Sequence, residues 1–158
     1  MSEKEIMNQT KDDELVLDIK NLVVHYELED ETVEAVNDIS IQLKKKQILG
    51  LVGETGAGKT STARAILNLL PNPPGVIKNG SIHVCGHDMS NASPKELESL
   101  RGSYVSMIFQ DPMTSLNPVY TVGDQIAESI EIHEQCSYAE AWAKAEEHCS
   151  WISILSAI

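Results

Sequence analysis

Hydrophobic residues recur at every second position in the N-terminal part of the chain, a pattern that predicts β-strands. The spacing holds over residues 15–19, changes phase at Asn21-Leu22, and returns over residues 39–43. A period of two is typical of a strand with one buried and one solvated face. The acidic run 27–31 predicts a solvated hairpin loop between the two segments. An N-terminal antiparallel β-subdomain is therefore expected.

Three further short segments are predicted as strands. The Asn79-Gly80 pair predicts a turn that opens a strand over residues 81–84. Two apolar runs, Gln47–Val52 and Ser103–Phe109, have the length and composition of buried strands.

Four segments are predicted as helices from their hydrophobic spacing and from the prolines and turns at their boundaries. They cover residues 61–70, 94–101, 122–134 and 138–147. Strands interspersed with helices indicate an α/β fold.

Length and composition indicate one domain with a substantial core. The chain has 158 residues, of which 42% are hydrophobic. No apolar run is long enough to span a bilayer, and the charged first 14 residues, which lack periodicity, predict a disordered tail. The three cysteines are widely spaced and suggest no disulfide framework. We expect an intracellular protein.

The formal net charge of −12 argues against nucleic acid as a partner. Such acidity repels phosphate backbones. Lys44-Lys45-Lys46 is the one basic cluster, and its position before an apolar run indicates a solvated turn.

Residues 53–60 carry the clearest chemical signal. Their sequence, Gly-Glu-Thr-Gly-Ala-Gly-Lys-Thr, matches the phosphate-binding P-loop pattern at every fixed position, between a predicted strand and a predicted helix. Glycines allow successive backbone N–H groups to approach phosphate oxygens, and the helix N-terminus adds partial positive charge. Lys59 can reach the outer phosphates, and the Thr60 hydroxyl can hold Mg²⁺. A plain glycine-rich turn is a weak competing interpretation, so nucleoside triphosphate binding is predicted.

Gln110 lies about fifty residues after the P-loop, at the end of a predicted strand. Its carboxamide is expected at the carboxyl edge of the sheet, where ligands bind in open parallel sheets. There it can coordinate Mg²⁺ through its oxygen and orient a water through its amide. A polar residue that merely ends a strand is the alternative.

Three segments together resemble the nucleotide-binding subunits of ATP-binding cassette (ABC) importers for oligopeptides, dipeptides and nickel. They are Gly53–Ser61, Gln110-Asp111-Pro112 and the run 114–118. The resemblance implies a P-loop NTPase core of the ABC type, incomplete here, with an antiparallel β-subdomain and the start of a helical subdomain. It also implies a transport ATPase at the cytoplasmic face of the membrane. Its expected partners are membrane subunits, contacted by the region after Gln110, and a second ATP-binding subunit.

The resemblance assigns roles to individual residues. Tyr26 matches the aromatic residue that stacks on adenine, and Gln110 matches the glutamine that links the γ-phosphate and Mg²⁺ to the membrane subunit. Thr60 and Gln110 are the expected Mg²⁺ ligands. The predicted ATP-binding residues are Tyr26, Gly53, Glu54, Thr55, Gly56, Ala57, Gly58, Lys59, Thr60 and Ser61.

Some family elements are absent from the sequence. There is no Leu-Ser-Gly-Gly-Gln signature, no apolar strand ending in Asp-Glu, and no switch histidine on a later strand. The uncharged residues 149–158 depart from the family pattern. We therefore predict a tail over 1–14, an ATP-binding core over 15–110, the start of a helical subdomain over 111–148, and an atypical apolar tail over 149–158.

Two hypotheses follow for the activity. The chain is either part of an importer ATPase, cut short or frame-shifted, or a non-catalytic module that binds nucleotide or transporter subunits without hydrolysis. A kinase of small metabolites is disfavoured, because Arg64 and Arg101 are the only arginines. His83, Cys85 and His87 have metal-ligand chemistry at strand spacing, but without a paired second cluster metal binding is disfavoured.

Overall fold

A computed structural model of the chain describes residues 14–110 and 116–151. The chain divides into two compact units, Met1–Met107 and Ile108–Ile158. Most of the predicted tail over 1–14 and residues 152–158 of the predicted apolar tail lie outside the described residues. The predicted boundary after Gln110 stays a prediction.

The described residues of the first unit form four strands and two helices. They are β1 (Leu15–Glu27), β2 (Thr32–Lys44), α1 (Lys59–Ile66), β3 (Gly75–Val84), β4 (His87–Asp88) and α2 (Pro94–Leu100). The strands form an antiparallel sheet in the order β2-β1-β3-β4. Strands β1 and β2 pair as far as Glu27 and Thr32, so residues 28–31 form the loop between them.

A bulge interrupts the central strand where the hydrophobic pattern changes phase. The β1 register shifts against both neighbours close to Asn21, which has a φ of 49°. The Asn21 side chain donates to Asp38 Oδ1 at 2.9 Å, and Gly80 of β3 (φ 99°) lies against the Asn21 carbonyl. A Cβ at residue 80 would come within 2.6 Å of that oxygen. The predicted turn at Asn79-Gly80 is therefore wrong: the pair lies inside β3 and accommodates the bulge.

The core of this unit lies on one face of the sheet. Its largest fully buried side chains are Ile19, Leu22, Val24, Ile82 and Met89. Helices α1 and α2 cover it with Ala65, Leu97 and Leu100. Each large aliphatic side chain removed from water stabilises the fold by about 1.5–3 kcal/mol. This packing fixes the start of α1 relative to the sheet.

In the part of the second unit that the structure describes there are two helices, α3 (Val122–Glu134) and α4 (Tyr138–Trp151). Small side chains form their contact, with Ala127, Ala141 and Ala145 buried. Thr121 caps α3, and its Oγ1 accepts from the Asp124 backbone N–H at 3.1 Å. A left-handed residue, Gln135 (φ 52°), ends the helix. The predicted bounds of α3 are correct, whereas α4 extends past the predicted end at residue 147.

Both predicted buried strands are wrong. Gln47–Val52 is not assigned to a strand, and Ile48 and Val52 are 100% and 91% exposed. In Ser103–Phe109 the pairing found among the described residues is one isolated parallel bridge between Val105 and Arg101. A strand requires a neighbouring strand that pairs with it over several residues, and the described residues provide no such strand for either run.

Helix α1 is shorter than predicted, because a left-handed residue and a contact from Arg101 fix its end. It ends at Ile66, and Asn68 adopts a left-handed conformation with a φ of 52°. The Arg101 guanidinium donates to the carbonyls of Leu67 and Asn68 at 2.9 and 2.8 Å. These bonds satisfy carbonyl groups that the end of a helix leaves without intrahelical partners.

Candidate functional site: a phosphate-binding loop

The P-loop residues lead directly into helix α1. Lys59 and Thr60 begin the helix, and Gly58 is its N-cap residue with a φ of 80°. No side chain caps the first turn, and that turn contains no acidic residue. The first backbone N–H groups of a helix lack intrahelical partners and carry partial positive charge. The start of α1 is therefore suited to binding a phosphate anion.

Gly58 fixes the loop against the sheet. A Cβ on this residue would lie well inside 3.0 Å of the Ala35 carbonyl oxygen in β2. The Gly58 carbonyl accepts hydrogen bonds from the Thr62 N–H at 2.8 Å and from Thr62 Oγ1 at 2.9 Å. Residue 58 must be glycine for two reasons: its left-handed backbone and its close approach to β2.

Gly56 has a different role. Its φ is 84°, but a Cβ there would meet no atom within 4 Å. The left-handed conformation alone therefore favours glycine at this position. The loop bends at Gly56 in open space and is packed at Gly58.

The Lys59 side chain folds over the loop. Its Nζ donates to the Gly53 carbonyl at 2.6 Å and also to the Glu54 carbonyl. An ammonium group has three N–H donors, so two hold the loop closed and one remains for an anion. Thr60, the predicted Mg²⁺ ligand, is exposed at the same end of the helix. The arrangement can present a cation, backbone donors and a hydroxyl to one phosphate group.

Tyr26 lies near the end of β1 and next to the loop. Its hydroxyl is 3.2 Å from Ser61 Oγ, in the first turn of α1. The ring is half-buried, and its edge contacts Gly75 at the start of β3. The fold thus brings Tyr26 and Ser61, which are 35 residues apart, to the same end of α1.

Gln110 is exposed and belongs to the second unit. Residues 111–115, which follow it, lie outside the described part of the chain. Its predicted part in Mg²⁺ coordination and in sensing the γ-phosphate therefore stays a prediction.

The histidines and cysteine at 83, 85 and 87 form the β3–β4 hairpin instead of one strand face. Cys85 and Gly86 are the two turn residues, both with positive φ. The His87 ring packs against Tyr104 with a centroid distance of 4.7 Å. No cluster of three or more His, Cys, Asp or Glu within residues 14–110 and 116–151 is placed to hold a metal ion.

The sequence analysis did not identify Ala35 or Arg101, which hold the two ends of the segment from Gly58 to the end of α1. The contact between Gly58 and Ala35 depends on how distant segments pack, and neither residue signals it in the sequence. Arg101 holds the end of α1, 33 residues away from Asn68. An arginine after a short helix does not by itself indicate that role.

Comparison with solved structures defines the fold class. The chain superposes on a dimeric post-hydrolysis structure of the ATP-binding cassette MJ0796 bound to ADP and Pi, with a TM-score of 0.68 at 18% identity. The match covers 83% of this chain and 54% of that one. A second dimeric structure of this bacterial ABC transporter cassette gives 0.67 at 17% identity, with the same coverages. The fold is that of an ABC ATPase, represented here in part.

Sequence comparison gives the family. The ABC transporter family model matches residues 36–156, and the chain belongs to this family. It is 42% identical over 134 residues to a probable peptide ABC transporter ATP-binding protein, y4tR, of Sinorhizobium fredii, covering 85% of this chain and 40% of that protein. It is 40% identical over 139 residues to the oligopeptide transport ATP-binding protein OppD of Bacillus subtilis, covering 88% and 39% respectively. The resemblance inferred from the P-loop and Gln110 segments is confirmed.

The chain spans about two fifths of the length of these curated relatives. Within the described residues, no helix is both long and apolar enough to cross a membrane.

Proposed function

We propose that this chain provides the nucleotide-binding part of an ABC importer subunit that couples ATP hydrolysis to uptake of oligopeptides or dipeptides, or of nickel. The observation that carries the proposal is the P-loop geometry: Lys59, Thr60 and the free N–H groups of α1 converge at one end of a cassette fold. The names of the relatives support a peptide as the solute, since one is an oligopeptide transport protein and another a probable D,D-dipeptide transport protein of Escherichia coli.

Each residue at the loop has a defined task in binding Mg²⁺-ATP. The amides of residues 53–58 and the start of α1 hold the phosphates, and the third Lys59 N–H neutralises the outer ones. Thr60 holds Mg²⁺, and Ser61 lies beside it in the first turn. Tyr26 stacks on adenine. The proposed Mg²⁺ ligands, Thr60 and Gln110, suit a hard cation because they offer hydroxyl and carboxamide oxygens.

Gln110 is proposed to complete the Mg²⁺ site and to orient the attacking water. The proposed partners are the transporter's membrane subunits and a second ATP-binding subunit, which places the protein at the cytoplasmic face of the membrane. Membrane contact is then indirect, and nucleic acid is not a partner.

A second candidate function is nucleotide binding without hydrolysis. One observation favours it: these 158 residues contain no apolar strand that ends in Asp-Glu and could supply a general base to this chain on its own.

Binding and turnover are tested separately on the full chain. A fluorescent ATP analogue with Mg²⁺ should bind the wild-type chain and bind Lys59→Ala at least tenfold more weakly, since charge-assisted contacts to phosphate are lost. Lys45→Ala is the matched control, because Lys45 pairs with Glu14 at 3.8 Å on a surface turn. Equal affinity in both variants would contradict the proposed binding site.

Release of phosphate from Mg²⁺-ATP decides between the two functions. Turnover above that of Lys59→Ala supports the ATPase, and binding without such turnover supports the non-catalytic module.

A further inference from the structure

Gly75 begins β3 directly beside the Tyr26 ring. The two residues are paired across β1 and β3, and Gly75 is buried. A Cβ on this residue would lie 3.1 Å from Tyr26 Cε1. It would also lie 3.2 Å from Leu70 Cβ and 2.9 Å from the Pro71 carbonyl oxygen. Carbon atoms in contact are ordinarily about 3.5–4.0 Å apart, so the place of a side chain at residue 75 is already filled.

Glycine is required at residue 75 for space and not for backbone conformation. The φ of Gly75 lies outside the left-handed region that Gly56 and Gly58 occupy. A glycine within a strand weakens it, because it costs conformational entropy and packs no side chain, and it often marks the close approach of another group. Here the approaching groups are the Tyr26 ring and the chain that follows α1.

The backbone around Gly75 is tied down, whereas the Tyr26 side chain can rotate. The Gly75 N–H donates to the Pro71 carbonyl, and the Glu27 N–H donates to the Pro74 carbonyl at 2.8 Å. These bonds fix the turn between α1 and β3 to the end of β1. The ring, in contrast, is attached through two rotatable bonds. A methyl group added at residue 75 would therefore displace chiefly the ring.

Any such displacement changes how the ring meets the start of α1. The Tyr26 hydroxyl lies 3.2 Å from Ser61 Oγ in the first turn of the helix. Rotation about the first side-chain bond moves the hydroxyl relative to Ser61, and rotation about the second tilts the face of the ring. Restoring an ordinary contact at Cε1 requires a shift of at least about 0.4 Å.

We propose that Gly75 is a positioning residue for nucleobase recognition. Its missing side chain leaves space for the Tyr26 ring beside the start of α1, where the ring can stack on adenine. The inference rests on the proposed function, since it requires Tyr26 to stack on the base. Gly75 acts through Tyr26 and contributes to affinity for the base, whereas affinity for the phosphates belongs to Lys59 and the start of α1.

Competition against a ribose-labelled fluorescent ATP analogue, with Mg²⁺ and the full chain, tests this role. Unlabelled ATP carries both base and phosphates, whereas inorganic tripolyphosphate carries phosphates alone. Gly75→Ala should weaken ATP about three- to tenfold, which is part of the loss expected for one stacked base. The affinity for tripolyphosphate should stay unchanged, because the phosphate site does not involve Tyr26.

A double-mutant cycle separates positioning of the ring from a general effect on the fold. Once Tyr26→Ala has removed the ring, the addition of Gly75→Ala should cause no further loss of ATP affinity, since both changes act through one contact. Tyr26→Phe is the matched background, because it keeps the ring and loses only the hydroxyl. In that background Gly75→Ala should still weaken ATP.

Two other glycines provide control variants. Gly123→Ala adds a methyl group that would lie 2.7 Å from the ring of Trp142, which has no proposed part in ATP binding. Gly50→Ala adds a methyl group that would meet no atom within 4 Å. Both variants should bind ATP and tripolyphosphate as the wild-type chain does.

Three outcomes would overturn the proposal. They are unchanged ATP binding by Gly75→Ala, an equal loss of ATP and tripolyphosphate binding in that variant, and a further loss when Gly75→Ala is added to Tyr26→Ala. A loss in Tyr26→Ala without one in Gly75→Ala removes the positioning role and leaves the proposed stacking in place. Equal ATP affinity of Tyr26→Ala and the wild-type chain contradicts the stacking itself, and the role of Gly75 with it.

Discussion

Gly58→Ala tests whether the phosphate-binding loop is held in place by its contact with β2. The substitution has two costs. A φ of 80° costs a residue with a Cβ about 1–2 kcal/mol. The new methyl group would also lie well inside 3.0 Å of the Ala35 carbonyl oxygen and 3.3 Å from its carbon. Both atoms are backbone, so either the loop or β2 must move.

The free energy of unfolding in urea measures the sum of these costs. We expect Gly58→Ala to lose more than about 3 kcal/mol, which places it among the strongly destabilising substitutions. Gly56→Ala is the matched control, because its φ of 84° imposes the same conformational cost while its Cβ would meet no atom within 4 Å. This control should lose about 1–2 kcal/mol.

The difference between the two variants isolates the contact with β2. Equal losses would show that Gly58 is required only for its backbone conformation, and that β2 does not position the loop. A Gly58→Ala chain that keeps full stability would refute the geometry itself.

Three further predictions concern separate contacts. Tyr26→Ala should weaken ATP-analogue binding by about five- to a hundredfold if the ring stacks on adenine. Tyr26→Phe loses only the hydrogen bond to Ser61 and should change the affinity by less. Equal affinity of the two variants would rule out stacking by Tyr26. Arg101→Ala should lower the free energy of unfolding in urea by about 1.5–3 kcal/mol, because it removes two hydrogen bonds to the carbonyls at the end of α1. Arg64→Ala is the control, because no such bond is found for Arg64 among the described residues. Hydrogen bonds from Thr121 and Tyr138 lower the pKa of Asp124 from its ordinary value of 3.8, so the stabilisation that these bonds give α3 should be present above pH 3.8 and disappear as the pH falls through the lowered pKa. The helicity of Asp124→Asn, measured by circular dichroism, should therefore depend less on acid pH than that of the wild-type chain. An unchanged pH dependence would contradict this role of Asp124.

Local signals predicted the elements whose causes are local. Helix α2 begins where Ser93 and Glu96 form a capping box, and α3 begins after the Thr121 cap. The alternation over 15–19 and 39–43 likewise gave two paired strands, because a half-buried strand shows its burial in its own sequence.

Elements that depend on distant partners were predicted less well. The run Gln47–Val52 has the composition of a buried strand, but a strand forms only where another strand offers hydrogen bonds. Asn79-Gly80 shows a related ambiguity, since the positive φ that a turn requires also serves a bulge. In both cases the sequence identifies the conformation that residues favour, while the neighbouring segments decide the outcome.

The same distinction applies to the phosphate-binding loop. Its pattern was recognisable because each fixed residue meets a local demand: left-handed backbone at Gly56, a long cation at Lys59, a hydroxyl at Thr60. Its position comes from Gly58 against Ala35 of β2, from Thr62 and from the packing of α1 on the sheet. All these contacts lie on the helix side of the loop, and Gln47–Val52 on the other side has no strand neighbour among the described residues. The proposed phosphate site depends chiefly on the helix side, since Lys59 and the first N–H groups of α1 belong to it. Any strand that pairs with Gln47–Val52 should therefore act mainly on the stability of the loop and only secondarily on the identity of its ligand.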